Sequence, residues 1–221
     1  MNKPSLSPQI YGLAIKQERG QLTYDKLITT GFRLLELHDL QDISIAELTR
    51  EAGYSVGAFY SRFRSKDEFF DALVAKHLET RTGTQIHLFS TLPTATLLVE
   101  LIRNVVNYYW EHRKFWRAVL VRSVRDSDFW EPIRSHGHEF TGRFIERVNN
   151  EIGRSLTSTE EANIAFAFQV LLGTINSTII NQPGPIFMGQ RLFIEELARA
   201  FTLISDFDNL VKTKNPKHKA R

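Results

Sequence analysis

Apolar positions along this chain recur at helical spacing almost throughout, and no stretch of useful length alternates apolar and polar residues as a strand would. Leu27, Phe32, Leu34, Leu35 and Leu37 predict a first helix from Thr23 to Leu37. Ser44, followed three residues later by Glu47, is a capping box that opens a helix from about Ile45 to Glu51. Gly53 suits the left-handed backbone of a tight helix exit, and Ser55 can cap a further helix over Val56 to Phe63. Ser65 with Glu68 opens the next, which runs from Lys66 to about Arg81 on Phe69, Phe70, Leu73, Val74 and Leu78. Past a polar stretch, 82–93, helices are predicted from Thr96 to Glu111, Lys114 to Val124 and Pro132 to about Ile152. A third capping box, Ser158 with Glu161, opens a long apolar helix to Ile180, which Pro183-Gly184-Pro185 breaks before a last helix from Gly189 to Phe207. The expectation is an all-α fold of about nine helices.

Two short helices joined by a glycine turn make a helix-turn-helix, and the second carries chemistry suited to nucleic acid. Gly57 and Ala58 lack bulk, so the backbone there can approach a groove wall. Tyr60, Ser61 and Arg62 offer hydroxyls and a guanidinium to phosphates or base edges, while Phe59 and Phe63, four apart, form the opposite, inward stripe. Lys66 at the start of the following helix stands beside free backbone N–H groups, a combination that favours a phosphate.

The run of Tyr60, Ser61, Arg62, Phe63, Ser65 and Lys66 resembles the end of the recognition helix in the TetR-type family of bacterial transcription regulators. The resemblance covers about Leu22 to Leu73. The glycine that usually ends the first helix of that domain is replaced here near His38-Asp39. It implies a regulator, in most cases a repressor, that binds double-stranded operator DNA as a homodimer and is released by a small-molecule effector. On this reading Ser44, Ser55, Gly57, Ala58, Tyr60, Ser61, Arg62 and Lys66 face DNA. The chain divides into a flexible N-terminal arm (1–21), a helix-turn-helix domain with its connecting helix (22–81), a helical effector-binding and dimerisation domain (82–211) and a basic tail (212–221).

Charge changes this picture only locally. The net charge is +3, but the last thirteen residues hold five of the Lys and Arg and no acid, which leaves −2 for the rest. The stretch 1–77 is balanced between acids and bases, so basic surface there is confined to Arg62, Arg64 and Lys66. A hydrophobic content of 42% over 221 residues suffices for a buried core. With no cysteine the chain has no disulfide or thiol chemistry. No uninterrupted apolar stretch approaches about 18 residues and the start has no signal-peptide core, so a cytoplasmic protein with no membrane partner is expected.

In the larger domain, aromatic residues crowd successive helices. They are ordinary core or, in part, the wall of an apolar pocket, for which Tyr109, Trp116, Phe140, Phe144 and Phe166 are the candidates. The small residues of the helix ending at Ile180 and the apolar stripe of the last helix either close the core of one chain or form half of a bundle with a second copy. Gly173, Ser177, Leu197 and Phe201 are the candidates for such an interface. The run His136-Gly137-His138-Glu139 places its histidines on different helix faces, so no metal is predicted. No phosphate-binding glycine loop, GxSxG or HExxH is present, so no enzyme activity and no cofactor are expected. The alternatives to the regulator are a helix-turn-helix protein without an effector, or a helical adaptor or enzyme with a DNA-binding-like start.

Overall fold

The structure, a computed structural model, describes residues 8–212, and the side chains from 18 onward except those of 94 and 95. Among the described residues there are ten α-helices, one more than expected, and no strand. They are α1 (Pro8–Leu37), α2 (Ile45–Ala52), α3 (Val56–Tyr60), α4 (Lys66–Thr91), α5 (Thr94–Glu111), α6 (Arg113–Ser123), α7 (Glu131–Ile152), α8 (Ser158–Asn181), α9 (Arg191–Ser205) and α10 (Phe207–Lys212), with a 3-10 turn at Asp128–Trp130. The chain forms two compact units, 1–76 and 77–221, whose boundary falls inside α4. Most of the basic tail and the first seven residues of the arm lie outside the described residues.

In the first unit α1 begins at Pro8, within the stretch expected to be a flexible arm, and runs without a break into the predicted first helix. Later residues hold it: the Arg62 Nε donates to the Gly20 carbonyl at 3.2 Å, and Tyr24 meets the Phe63 ring at 5.5 Å. Ser44 Oγ accepts from the Glu47 N–H at 3.0 Å to start α2, and Gly53 ends it at φ 77. Ser55 Oγ accepts from the Ala58 N–H at 3.1 Å to start α3. That helix stops at Tyr60, short of the predicted Phe63, because the N–H groups of Arg62 and Phe63 both turn onto the Phe59 carbonyl. At the start of α4 Ser65 Oγ accepts from the Glu68 N–H at 3.1 Å as expected, while the Glu68 carboxylate reaches back to the Arg64 N–H at 2.7 Å, one residue before Ser65. Phe59, Phe63, Phe69 and Phe70 are buried with Leu27, Leu34, Leu35, Leu48 and Leu73. Gly31 lets α1 and α4 meet, since a Cβ there would stand 2.6 Å from the Phe69 ring. Neither His38 nor Asp39 is left-handed, so the turn after α1 closes without the usual glycine conformation.

Helix α4 does not end near Arg81 but continues to Thr91. Its threonines satisfy themselves locally, with Thr82 donating to the Leu78 carbonyl at 3.0 Å and Thr91 to that of His87 at 2.8 Å, while Gln85 and Phe89 are buried. The capping box of α8 is Thr157 with Glu160, one residue before the predicted pair, and Arg154 chelates the same carboxylate at 2.7 and 2.8 Å. By length and composition α8 could cross a membrane, with mean hydropathy 1.4. Here Ile164, Ala167, Phe168, Leu171 and Ile175 are instead buried, and Phe168 meets Phe140 of α7 and Phe201 of α9 at 5.3 and 4.8 Å. The expected last helix is two, because Asp206 adopts φ 52 between α9 and α10.

Candidate nucleic-acid interface and ligand cavity

Helix α3 and the turn that follows it are split into two stripes. Phe59 is fully buried and Phe63 nearly so, whereas Gly57, Ser61 and Arg62 are exposed, Tyr60 is 54% exposed and Ala58 half-buried. Gly57 is not demanded by the chain's own geometry: its φ is ordinary, and a Cβ would meet only Ser55 Oγ at 3.7 Å. Ser44 and Ser55 spend one lone pair each on their helix caps, and Ser61 Oγ donates to the Ala58 carbonyl at 2.8 Å. The cations at this face are engaged too. Arg62 is tied to Gly20 and, through a terminal nitrogen, to the Ser61 carbonyl at 3.2 Å. Lys66 Nζ donates to the Gln41 carbonyl at 3.3 Å, and partial burial lowers its pKa against the raising effect of Asp42 and Asp67. Both are expected from the sequence to meet phosphates; each is tied here to a backbone carbonyl and keeps further N–H donors.

The second unit holds a cavity of about 980 Å³. Its wall comes from Leu78, Arg81 and Gln85 of α4, Val105, Tyr108 and Tyr109 of α5, Trp116 of α6, a run of α7 around Ile133, His136 and Phe140, and the α8 residues Phe166, Gln169, Gly173 and Asn176. Four of the five aromatic candidates, Tyr109, Trp116, Phe140 and Phe166, are therefore on it, with Tyr109 stacked on Trp116 at 4.5 Å. Phe144 is not. One turn beyond Phe140, it is fully buried among Phe89, Phe168, Phe201 and Phe207.

The interface candidates separate as well. Gly173 and Ser177 are exposed on α8, but Leu197 and Phe201 are 7% and 1% exposed, because the apolar stripe of α9 is turned onto α8 of the same chain.

The polar side of the cavity had gone unread in the sequence. Arg81 is 8% exposed; it donates to Asn104 Oδ1 at 2.9 Å, and its guanidinium lies 3.8 Å over the Tyr108 ring. Burial lowers its pKa to about 10, with the neighbouring Tyr109 opposing, and burial pushes Tyr109 up. The Tyr108 hydroxyl is hydrogen-bonded to Nε2 of His77, and desolvation, followed by the nearby His112, Arg81 and His136, holds that imidazole at about 3. Gln85 Nε2 donates to His136 Nε2 at 3.1 Å, which leaves the His136 Nδ1 proton for Thr82 Oγ1 at 3.4 Å. Gln85 Oε1, Trp116 Nε1 and Asn176 Oδ1 are buried without a hydrogen-bond partner. The available signal was the spacing of His77, Arg81 and Gln85, polar residues four apart on one stripe of α4, hidden by ending that helix at Arg81. Among the described residues no three His, Asp or Glu converge as a metal site.

A helix-turn-helix unit is here followed by a helical unit with a large cavity, and known proteins share parts of this arrangement. Residues 27–73 match the family model of bacterial regulatory proteins of the tetR family. An uncharacterized HTH-type transcriptional regulator of Bacillus subtilis, YwcC, is 38% identical over 60 residues, a segment that spans 27% of this chain and 27% of that relative. A TetR-family transcriptional regulator from Mesorhizobium loti shares the fold with TM-score 0.64 at 17% identity, over 88% of this chain and 97% of the other. A TetR transcription regulator from Haloarcula marismortui does so with TM-score 0.63 at 16% identity, over 85% and 96%. Residues 27–73 are thus similar to the tetR-type regulatory domain, and the chain shares its overall fold with these TetR-family regulators over 85–88% of its length.

Proposed function

We propose that the protein is a non-enzymatic, cytoplasmic transcription regulator that binds operator DNA as a homodimer and is released, as a repressor, when a small molecule enters the cavity of its second unit. The observation that carries the DNA-binding part is α3 and the turn after it, with Phe59 and Phe63 spent on the core, Gly57, Tyr60 and Ser61 left outward and Ala58 half-exposed between them. A glycine that the chain's own packing does not require, on the outward face of a recognition helix, fits a position where DNA comes close. Tyr60 and Lys66 then serve the phosphate backbone, setting register rather than reading bases. Pairing through the exposed side of α8, at Gly173 and Ser177, would bring a second recognition helix to the next half-site, roughly 34–36 Å away. The cavity supports the effector, and α4 runs from Lys66 at the DNA-binding unit to Arg81 and Gln85 on the cavity wall.

The test uses DNA fragments selected from a random pool by the full-length protein. Gly57→Val is expected to weaken binding of the selected sequence by about tenfold or more, the size of one well-placed base contact, without lowering the thermal unfolding midpoint appreciably. Undiminished affinity in Gly57→Val, or no sequence enriched from the pool, would falsify the reading.

A further inference from the structure

We infer that the molecule this cavity takes is an organic anion, a single carboxylate or equivalent acid on an extended and mainly aromatic body, with its acid end against Arg81. The inference rests on the ligand-binding reading above and specifies its chemistry. The wall contains two arginines and two histidines, Arg81, Arg134, His136 and His138, and neither Asp nor Glu. Arg134 is paired with Glu131, and His138 is exposed. Arg81 differs from both: it is buried, it donates to the neutral Asn104 amide and lies over the face of Tyr108, and no Asp or Glu stands on the wall it shares.

A guanidinium carries five N–H donors in a planar fork and stays charged at neutral pH. Buried without a counter-charge it is costly, and a bidentate carboxylate is the partner that relieves most of that cost. A cationic ligand would meet Arg81 with nothing to offset it, and a neutral one would leave the charge uncompensated. The unpartnered Trp116 Nε1 offers a further donor on the same wall, and the unpartnered Gln85 Oε1 a place for a hydroxyl or amide of the ligand. The rest of the wall dictates the body. The stacked Tyr109 and Trp116, with Phe140, Phe166 and Ile133, favour flat apolar surface. A volume of about 980 Å³ admits a molecule of several rings.

Two probes that differ only in the acid decide it: anilinonaphthalene sulfonate and the uncharged phenylnaphthylamine, each titrated by fluorescence against the full chain. The sulfonate is expected to bind about tenfold tighter or more, the margin of a charge-assisted hydrogen-bond pair. Arg81→Met should erase that margin and leave the neutral probe's dissociation constant unchanged, which also reports that the cavity is intact; Arg81→Lys should keep part of it. Equal affinity of the two probes for the unaltered protein overturns the anion assignment whether or not the variants fold, while the cavity reading stands. If neither probe binds, or if Ala165→Phe, which puts a ring on the wall, displaces neither, the cavity reading itself falls and the assignment with it.

Discussion

Both units are rich in aromatic rings, yet one uses them to fill space and the other to enclose it. Around α3, the rings of Phe59, Phe63 and Phe69 stand 5.1 to 5.6 Å apart, and the space left between α1, α2 and α4 is about 10 Å³, no more than a single water needs. In the second unit the same residue type lines about 980 Å³. The difference lies in what stands between the rings. In the first unit Gly31 draws α1 against Phe69 and Leu73, so absence of a side chain produces contact. In the second, Gly137, Gly142 and Gly173 have nothing within 4 Å of where a Cβ would be, and Ala162 and Ala165 share the wall, so absence of side chains leaves a void. A small residue therefore means opposite things in the two places, according to how closely the partner helix approaches.

The largest effect that would sharpen this contrast is truncation of a ring. Phe59→Ala should cost about 3–5 kcal/mol, because the site is completely enclosed and cannot collapse. Phe166→Ala, on the wall and 54% exposed, should cost less than about 1 kcal/mol. Urea unfolding followed by circular dichroism measures both, and similar losses would show that the cavity wall is as tightly supported as the core of the first unit. Next come the glycines. Gly31→Ala, pressed against Phe69, should lose about 1–3 kcal/mol through overpacking. Gly137→Ala, in mid-helix with free space, should gain about 0.5–1 kcal/mol from helix propensity. A loss at Gly137 of the same size as at Gly31 would mean that α7 has a neighbour at that point.

The smallest effect is a pH dependence arising in the second unit. His77 is held at about 3 against an ordinary 6.5, so between those values the unfolded chain binds a proton that the folded chain refuses. Stability is then fully present above about pH 6.5 and declines as pH falls, by roughly 1 kcal/mol between pH 7 and 5.5. His136, lowered for the same leading reason, adds in the same direction. All three tryptophans, Trp110, Trp116 and Trp130, lie in this unit, so their emission during urea unfolding isolates it. His77→Gln should flatten the dependence; a profile unchanged by that substitution would assign the slope to other groups.

What the amino-acid order determines by itself is the helix-turn-helix unit, because its signals are local. Ser44, Gly53 and Ser55 act on backbone groups within a few residues, and the alternation of Phe59 and Phe63 with Gly57, Tyr60 and Ser61 assigns inner and outer stripes without knowledge of any partner. The helical character of the rest was legible for the same reason, from periodicity alone. Which face of each later helix meets which neighbour was not. Phe140 and Phe144 are a turn apart on α7 and equally apolar, but one borders the cavity and the other is sealed between α8, α9 and α10. Leu197 and Phe201 carry a stripe as suited to a second copy as to the chain's own α8, and the fold assigns it to α8. Arg62 and Lys66 likewise spend donors on the distant carbonyls of Gly20 and Gln41. Gln85 joins Arg81 on the cavity wall because α4 continues past Arg81 through the polar stretch 82–93. Caps and turns are short-range backbone chemistry and survive in one dimension, whereas the choice between core, cavity and free surface depends on the distance to another helix, which only the tertiary structure sets.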